Sequence, residues 1–144
     1  MSILVLCANY PGPKGKAALA YVKARNFDYH ENGLEEIVVL NFSLSKGTYI
    51  DEGFKVISLD EYRRSYSRDD FNILISHAPN IRSHYRFLKE YQNRFKQIVF
   101  FFHGHEVLSI NKEYPKPYPY LWKRGLTRLI SPLYDCLKLC IIIS

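Results

Sequence analysis

A run of apolar residues, Ile3-Leu4-Val5-Leu6-Cys7, passes directly into Ala8-Asn9-Tyr10-Pro11-Gly12-Pro13-Lys14-Gly15. A short run without polar alternation reads as a strand buried on both faces. The stretch rich in Pro and Gly that follows reads as a loop, and Lys16 opens a helical pattern. Ala17, Ala20, Tyr21, Ala24 and Phe27 recur at three- and four-residue spacing, and Asn32-Gly33 supplies a stop. The expected helix thus extends to Glu31, with its small alanines laid close against a sheet. A buried strand feeding a Gly-containing loop and a helix is how doubly wound α/β chains begin. The N-terminus of such a helix presents unpaired N–H groups and a partial positive charge, which suits a phosphate or another anion.

Two stock phosphate motifs are nevertheless absent. A P-loop requires G-x-x-x-x-G-K-[ST], but Gly15-Lys16 is followed by Ala17 and preceded at the fifth position by Tyr10. The dinucleotide fingerprint G-x-G-x-x-G fails as well: counted from Gly12 the second glycine position holds Lys14, and with Gly15 as the second the third holds Ala18.

The rest of the chain continues the alternation. Glu36 to Phe42 reads as the second strand, and Thr48 to Ile57 as a hairpin around Gly53. Asp60 to Asp70 carries Arg63, Arg64 and Arg68 among few apolar residues, which suggests a short surface helix or loop with a solvated basic face. Phe71 to Ser76 is a further buried strand, ending at His77-Ala78-Pro79-Asn80. A helix is expected from Ile81 to Phe95, with Ile81, Tyr85, Leu88 and Phe95 on one side. Gln97 to Phe102 is the next strand and runs into His103-Gly104-His105-Glu106. A loop from Ser109 to Pro119 and a helix from Tyr120 to Tyr134, bent or reset at Ser131-Pro132, lead to a last strand, Leu139 to Ile143. The pattern as a whole is α/β: a Rossmann-like, doubly wound, mostly parallel sheet with helices on both faces. An apolar strand of this kind normally feeds a covering helix, so an architecture cut short at Ser144 is expected.

With 144 residues, 47% of them hydrophobic, the chain is of single-domain size and can bury a sizeable core. No apolar run approaches the roughly 18 residues of a membrane span, and the N-terminus lacks a charged-then-apolar leader pattern. Cys7, Cys136 and Cys140 are odd in number and lack C-x-x-C spacing, so reduced thiols and a cytoplasmic setting are expected. The net charge of +6 invites a polyanionic partner. The basic residues are spread along the chain and no recognition motif appears, so nucleic acid is not the expected one.

Ligands of open α/β sheets bind beyond the carboxyl ends of the strands. Three segments with suggestive residues meet that edge: Asn9 to Lys16, His77 to Asn80, and His103 to Glu106. Imidazole donates to phosphate or sugar oxygens and changes charge near neutral pH, so two histidines from different strands are the leading candidates there. His103, directly after a buried strand, ranks ahead of His77. His105 and Glu106 suit orienting or solvated roles, while His30 and His84 fall on expected helices and are assigned to structure. His103-x-His105 lacks the third and fourth ligands of a zinc site, so no metal is expected. Neither a nucleophile elbow nor a carboxylate pair is visible.

Taken in order, these features resemble one family. They are Ile3 to Cys7 with Tyr10-Pro11-Gly12 and Gly15, the strand after Asn32-Gly33, the hairpin Tyr49 to Val56, His77 at a strand end, Phe102-His103-Gly104-His105-Glu106, and the closing Ile141-Ile142-Ile143-Ser144. The chain resembles the N-terminal, acceptor-binding domain of glycosyltransferase family 4, retaining enzymes of GT-B fold. That resemblance implies two Rossmann-like domains and sugar transfer from a nucleotide-diphospho-sugar, without a metal or other cofactor, to a glycan or lipid-linked acceptor. Gly12, Gly15 and Lys16 would then approach the donor diphosphate, and His103 would act at the transferred sugar as the leaving phosphate departs. Tyr10, His77, Asn80, His105 and Glu106 would line the acceptor side. The sequence departs from the family in placing Pro13 and Lys14 between the loop glycines. It also lacks the C-terminal domain, with its E-x-x-x-x-x-x-x-E motif, that holds the nucleotide. The chain alone is therefore expected to be inactive, and its uncovered last strand to favour self-association.

Lys112, Lys116, Lys123, Arg124 and Arg128 are interleaved with Tyr114, Tyr118, Tyr120, Leu121 and Trp122. This composition suits docking on an anionic membrane surface, where lipid-linked acceptors reside, and equally suits inward-packed rings with solvated charges. Peripheral association with the inner face of the membrane is the corresponding expectation. The competing reading of the whole chain is a non-catalytic, flavodoxin-like or regulatory binding module, complete in itself.

Overall fold

A computed structural model describes residues 2–12, 20–34, 36–66, 70–80 and 82–102. The chain falls into two units, Met1–Phe101 and Phe102–Ser144, and the fold described below is that of the first. The expectations placed on Gly15, Lys16, Arg68, Ile81, His103, His105 and Glu106 lie outside the described residues. So do those on the segment 112–128 and on everything else after Phe102.

Among the described residues, six strands form one mostly parallel sheet. β1 (Ser2–Cys7) leads to helix α1 (Ala20–Glu31) and then to β2 (Glu36–Asn41). A hairpin follows, β3 (Thr48–Asp51) and β4 (Phe54–Ile57), then α2 (Leu59–Ser65) and β5 (Ile73–His77). After α3 (His84–Tyr91) comes a single 3₁₀ turn, Gln92–Arg94, and β6 (Gln97–Phe101). The strand order is β3-β4-β2-β1-β5-β6, with only β3 antiparallel to its neighbour. β1 lies near the middle, between β2 and β5, and every one of its residues is buried, as its unbroken apolar run requires.

Local chemistry fixes the connections. The hairpin turn holds Glu52 at φ 48° and Gly53 at φ 90°, the pair of left-handed residues that a type I′ turn needs. Ser58 caps α2 by accepting the Glu61 N–H at 3.2 Å, and Asp60 and Glu61 place negative charge in its first turn.

Side chains alternate across the sheet and build two cores. Ile3, Val5, Ile37, Val39, Val56 and Ile75 pack with Val22 of α1 on one face. Leu4, Leu6, Val38, Leu40, Ile57 and Leu74 pack on the other, with Tyr62 of α2 and Phe87 and Tyr91 of α3. The second core is the aromatic one. Tyr62, 1% exposed, has its ring 5.1 Å from Phe87, 5.3 Å from Tyr91 and 6.0 Å from Tyr66.

The α/β class, the six strand positions and the hairpin agree with the sequence reading. The helix faces do not. On α1 the buried positions are Val22 and Asn26, while Ala24 is exposed and Phe27 is 39% exposed, packed edge-on against Phe54 at 4.9 Å. On α3 they are His84, Phe87 and Tyr91, whereas Tyr85 is 41% exposed. α2 is no merely solvated segment, since Tyr62 turns inward as the centre of a ring cluster. In each case a tyrosine or asparagine competes with an apolar residue for the interior, and tertiary packing decides between them.

Candidate functional site

The order of strands marks one place as special. From β1 the chain crosses to β2 on one side, and from β5 it crosses to β6 on the other. Loops leaving the neighbouring carboxyl ends of β1 and β5 therefore diverge, and that divergence is where open α/β sheets bind ligands.

The start of the β1 loop is held by the end of β2. Asn41, 4% exposed, uses its Oδ1 to accept the Tyr10 N–H at 3.2 Å and the Ser43 N–H at 3.1 Å. Ser43 Oγ lies 2.8 Å from that same oxygen and 3.1 Å from Asn9 Oδ1. The Phe42 N–H donates to the Cys7 carbonyl at 3.0 Å, which ties the two strand ends together. Tyr10 is buried, and its hydroxyl accepts from Asn26 Nδ2 of α1 at 3.4 Å. Burial pushes the Tyr10 hydroxyl up to about 12, against the lowering effect of the Asn26 contact. Asn26 is itself fully buried, and its Oδ1 has no hydrogen-bond partner among the described residues.

His77 is the last residue of β5 rather than part of the loop beyond it. Its ring is fully buried and stacked on Phe101 of β6, centroids 5.0 Å apart, with Nε2 3.3 Å from the Tyr29 hydroxyl of α1. Ala78 next to it adopts φ 48°, a left-handed conformation unfavourable for a residue with a Cβ, and its N–H donates to the Phe101 carbonyl at 2.9 Å. Strain of this kind often accompanies functional loops.

Asn80 organises the turn before α3. Its Oδ1 accepts the Ser83 N–H and lies within hydrogen-bond reach of the Ser83 hydroxyl, each at 2.9 Å, while its own N–H donates to His84 Nδ1 at 3.1 Å. His84 is fully buried, edge-on to Phe42 at 5.0 Å. Burial lowers its pKa to about 4; the Leu6 carbonyl opposes the shift, although Nε2 stops short of a full hydrogen bond. The structural role expected of His84 agrees with this setting, and His30 lies exposed in the last turn of α1.

Gly12 is half-buried and outside the left-handed region, and a Cβ added there would meet nothing within 4 Å. The described backbone therefore shows no close approach that only glycine allows at this position. Cys7 also faces the β1 end, but burial pushes its thiol up to about 12, which removes it as a nucleophile.

The structure thus brings Asn9, Tyr10, Asn41 and Ser43 together and places Asn80 and His77 at the neighbouring strand end. Asn9, Tyr10, Asn41, Ser43 and Asn80 contribute amides and hydroxyls rather than carboxylates or amines. Asn9 and Ser43, both exposed, offer donors and acceptors that suit a hydroxyl-bearing ligand better than proton transfer. Asn41 and Ser43 were not singled out from the sequence, though a polar residue closing the apolar run Ile37 to Leu40 is a signal that could have found Asn41. Asn26 and Tyr29 carried none. No group of His, Cys, Asp or Glu side chains among the described residues could hold a metal ion. Comparison with protein-family models, with curated proteins and with solved structures returns no match.

Proposed function

We propose that this chain is the acceptor-side, Rossmann-like domain of a retaining GT-B glycosyltransferase. The enzyme would move a sugar from a nucleotide-diphospho-sugar to a glycan or a lipid-linked acceptor. The observation that carries the reading is the switch of strand order between β1 and β5, with neutral hydrogen-bonding groups gathered at their carboxyl ends. A sugar acceptor needs its hydroxyls oriented by fixed amides and hydroxyls, which Asn9 and Ser43 supply on a scaffold set by Asn41. His103 is the proposed group at the transferred sugar, and Gly15 and Lys16 the proposed diphosphate contacts. Donor binding in this reading requires a second, nucleotide-holding domain, so the isolated chain is expected to transfer nothing. The reading is tested by glycan titration monitored through amide resonances, together with an assay for transfer or donor hydrolysis. Glycan-dependent shifts at Asn9, Tyr10 and Ser43 without turnover support it. Shifts confined to other surfaces, or full turnover by the chain alone, contradict it.

One observation favours a second reading, a non-catalytic binding module. His77 is packed between rings, Asn80 Oδ1 is engaged with Ser83, and Gly12 shows no close backbone approach. Three of the described candidates are thereby explained by structure alone. Nucleotide-sugar binding to the full protein separates the two readings, since only the transferase requires it.

A further inference from the structure

The positive charge of the described surface is unevenly neutralised. Lys23 is paired with Asp51 and Glu52, Arg25 with Asp28, Arg63 with Glu90, and Arg64 with Glu61. Lys55 and Arg94 lie over the rings of Tyr66 and Tyr91. Arg82, Arg86 and Lys89 are exposed, and none has an ion pair among the described residues; Lys46 and Lys96 are exposed and lack one too, but stand apart from these three along the chain. The three follow one another at spacings of four and three. That spacing puts Arg86 and Lys89 on one face of α3, with Arg82 in the turn just ahead of it. The exposed ring of Tyr85 adjoins them. The opposite face of α3, carrying His84, Phe87 and Tyr91, is buried in the aromatic core, so this outward stripe is held on a rigid element.

We infer that the outer face of α3 and the turn before it, through Arg82, Arg86, Lys89 and Tyr85, dock the protein on an anionic lipid surface. Charge complementarity carries the assignment: three exposed cations without ion pairs among the described residues, two on the outer side of α3 and one in the turn before it, gain from the negative potential of a bilayer that contains acidic lipids. Tyr85 suits the same partner, because an exposed amphipathic ring is at home among headgroups. Nucleic acid fits less well. Its tight binders neutralise about six or more phosphates and track a groove lined with stacking rings, whereas the outside of a helix and the turn before it offer three cations and no groove. The inference stands on these side chains alone. It does not depend on the transferase reading or on the segment 112–128.

The experiment is vesicle co-sedimentation of the full chain. One set of vesicles is pure phosphatidylcholine, and the other includes about a third phosphatidylserine, which gives the surface its negative potential. Binding to the second set only, weakening as salt is raised, is the expected result. The triple variant Arg82→Gln, Arg86→Gln, Lys89→Gln is expected to bind on the order of a hundredfold more weakly. Its circular dichroism should match the parent, since the altered side chains are exposed and unpaired. A control variant, Lys46→Glu with Lys96→Glu, changes the net charge by more but off the stripe, and is expected to keep most of the binding. Equal loss in both variants means that net charge alone acts and overturns the assignment. Undiminished binding of the triple variant overturns it too, as does tighter capture by single-stranded RNA than by the anionic vesicles. Retained glycan-dependent shifts in the triple variant separate a failure of docking from a failure of the proposed function.

Discussion

The two faces of the sheet are built from the same strands but differ in what they bury. The α2/α3 face is dominated by aromatic and aliphatic side chains, in which Tyr62, Phe87 and Tyr91 pack together over the strands, and His84 is a buried polar group at the start of α3. The α1 face has an aliphatic centre, but toward the carboxyl edge it takes in Tyr10, Asn26, Tyr29 and His77, joined by polar contacts. Burial of apolar rings is non-directional and supplies most of the stability; buried polar groups are costly unless paired in a particular geometry. The two faces divide the labour. One face anchors the sheet, and the other fixes the loops at its carboxyl edge in one arrangement.

If that division is right, the largest loss comes from the aromatic face. Phe87→Ala, at a residue 3% exposed between Tyr62 and Tyr91, is expected to cost about 3–5 kcal/mol in chemical denaturation. A domain whose total stability is roughly 5–15 kcal/mol would be close to unfolding. A loss below about 1 kcal/mol would mean that this core is loosely packed.

The next effect is set by pH and belongs to the same face. Buried His84 has its folded pKa lowered to about 4 from 6.5, so the unfolded chain binds more protons in between. Stability is then full above 6.5 and falls progressively as pH drops toward about 4, by ~3 kcal/mol in all. Asparagine carries an acceptor where His84 presents Nδ1 to the Asn80 N–H, but it has no proton to gain. His84→Asn should therefore flatten this part of the stability–pH profile while preserving the turn, as read from denaturation midpoints and exchange of the Asn80 amide.

On the polar face, Asn41→Ala removes the acceptor shared by the Tyr10 and Ser43 amides. The expected cost is about 2 kcal/mol, with faster hydrogen exchange confined to the β1 loop. Exchange that quickens evenly through the sheet would contradict a local role. The smallest effect is expected at Gly12→Ala, within about 0.5 kcal/mol, because the new methyl meets nothing and the backbone is not left-handed.

Much of this was legible in the residue order. Unbroken apolar runs at Ile3, Ile37 and Ile73 announced strands buried on both faces, and Glu52-Gly53 announced the tight turn. The inner faces of the helices were not legible. Periodicity ranked Ala24, Phe27 and Tyr85 as core, yet Asn26 and His84 lie inside while those three are exposed. A tyrosine-rich helix offers more candidate rings than the sheet can cover, and only the packing selects among them. The carboxyl-edge loops were found from strand ends, but the residues that shape them were not. Asn41 acts on Tyr10 from 31 positions away, a pairing that no local pattern encodes.

If the diverging loops of β1 and β5 form the ligand site, amide chemical-shift mapping during a titration with glycan acceptors will reveal it. Saturable shifts are expected at Asn9, Tyr10, Ser43 and Ala78, with little change at the opposite edge around Ser2, Glu36 and Asn72. Shifts centred on that opposite edge, with the β1 and β5 loops unmoved, would contradict it.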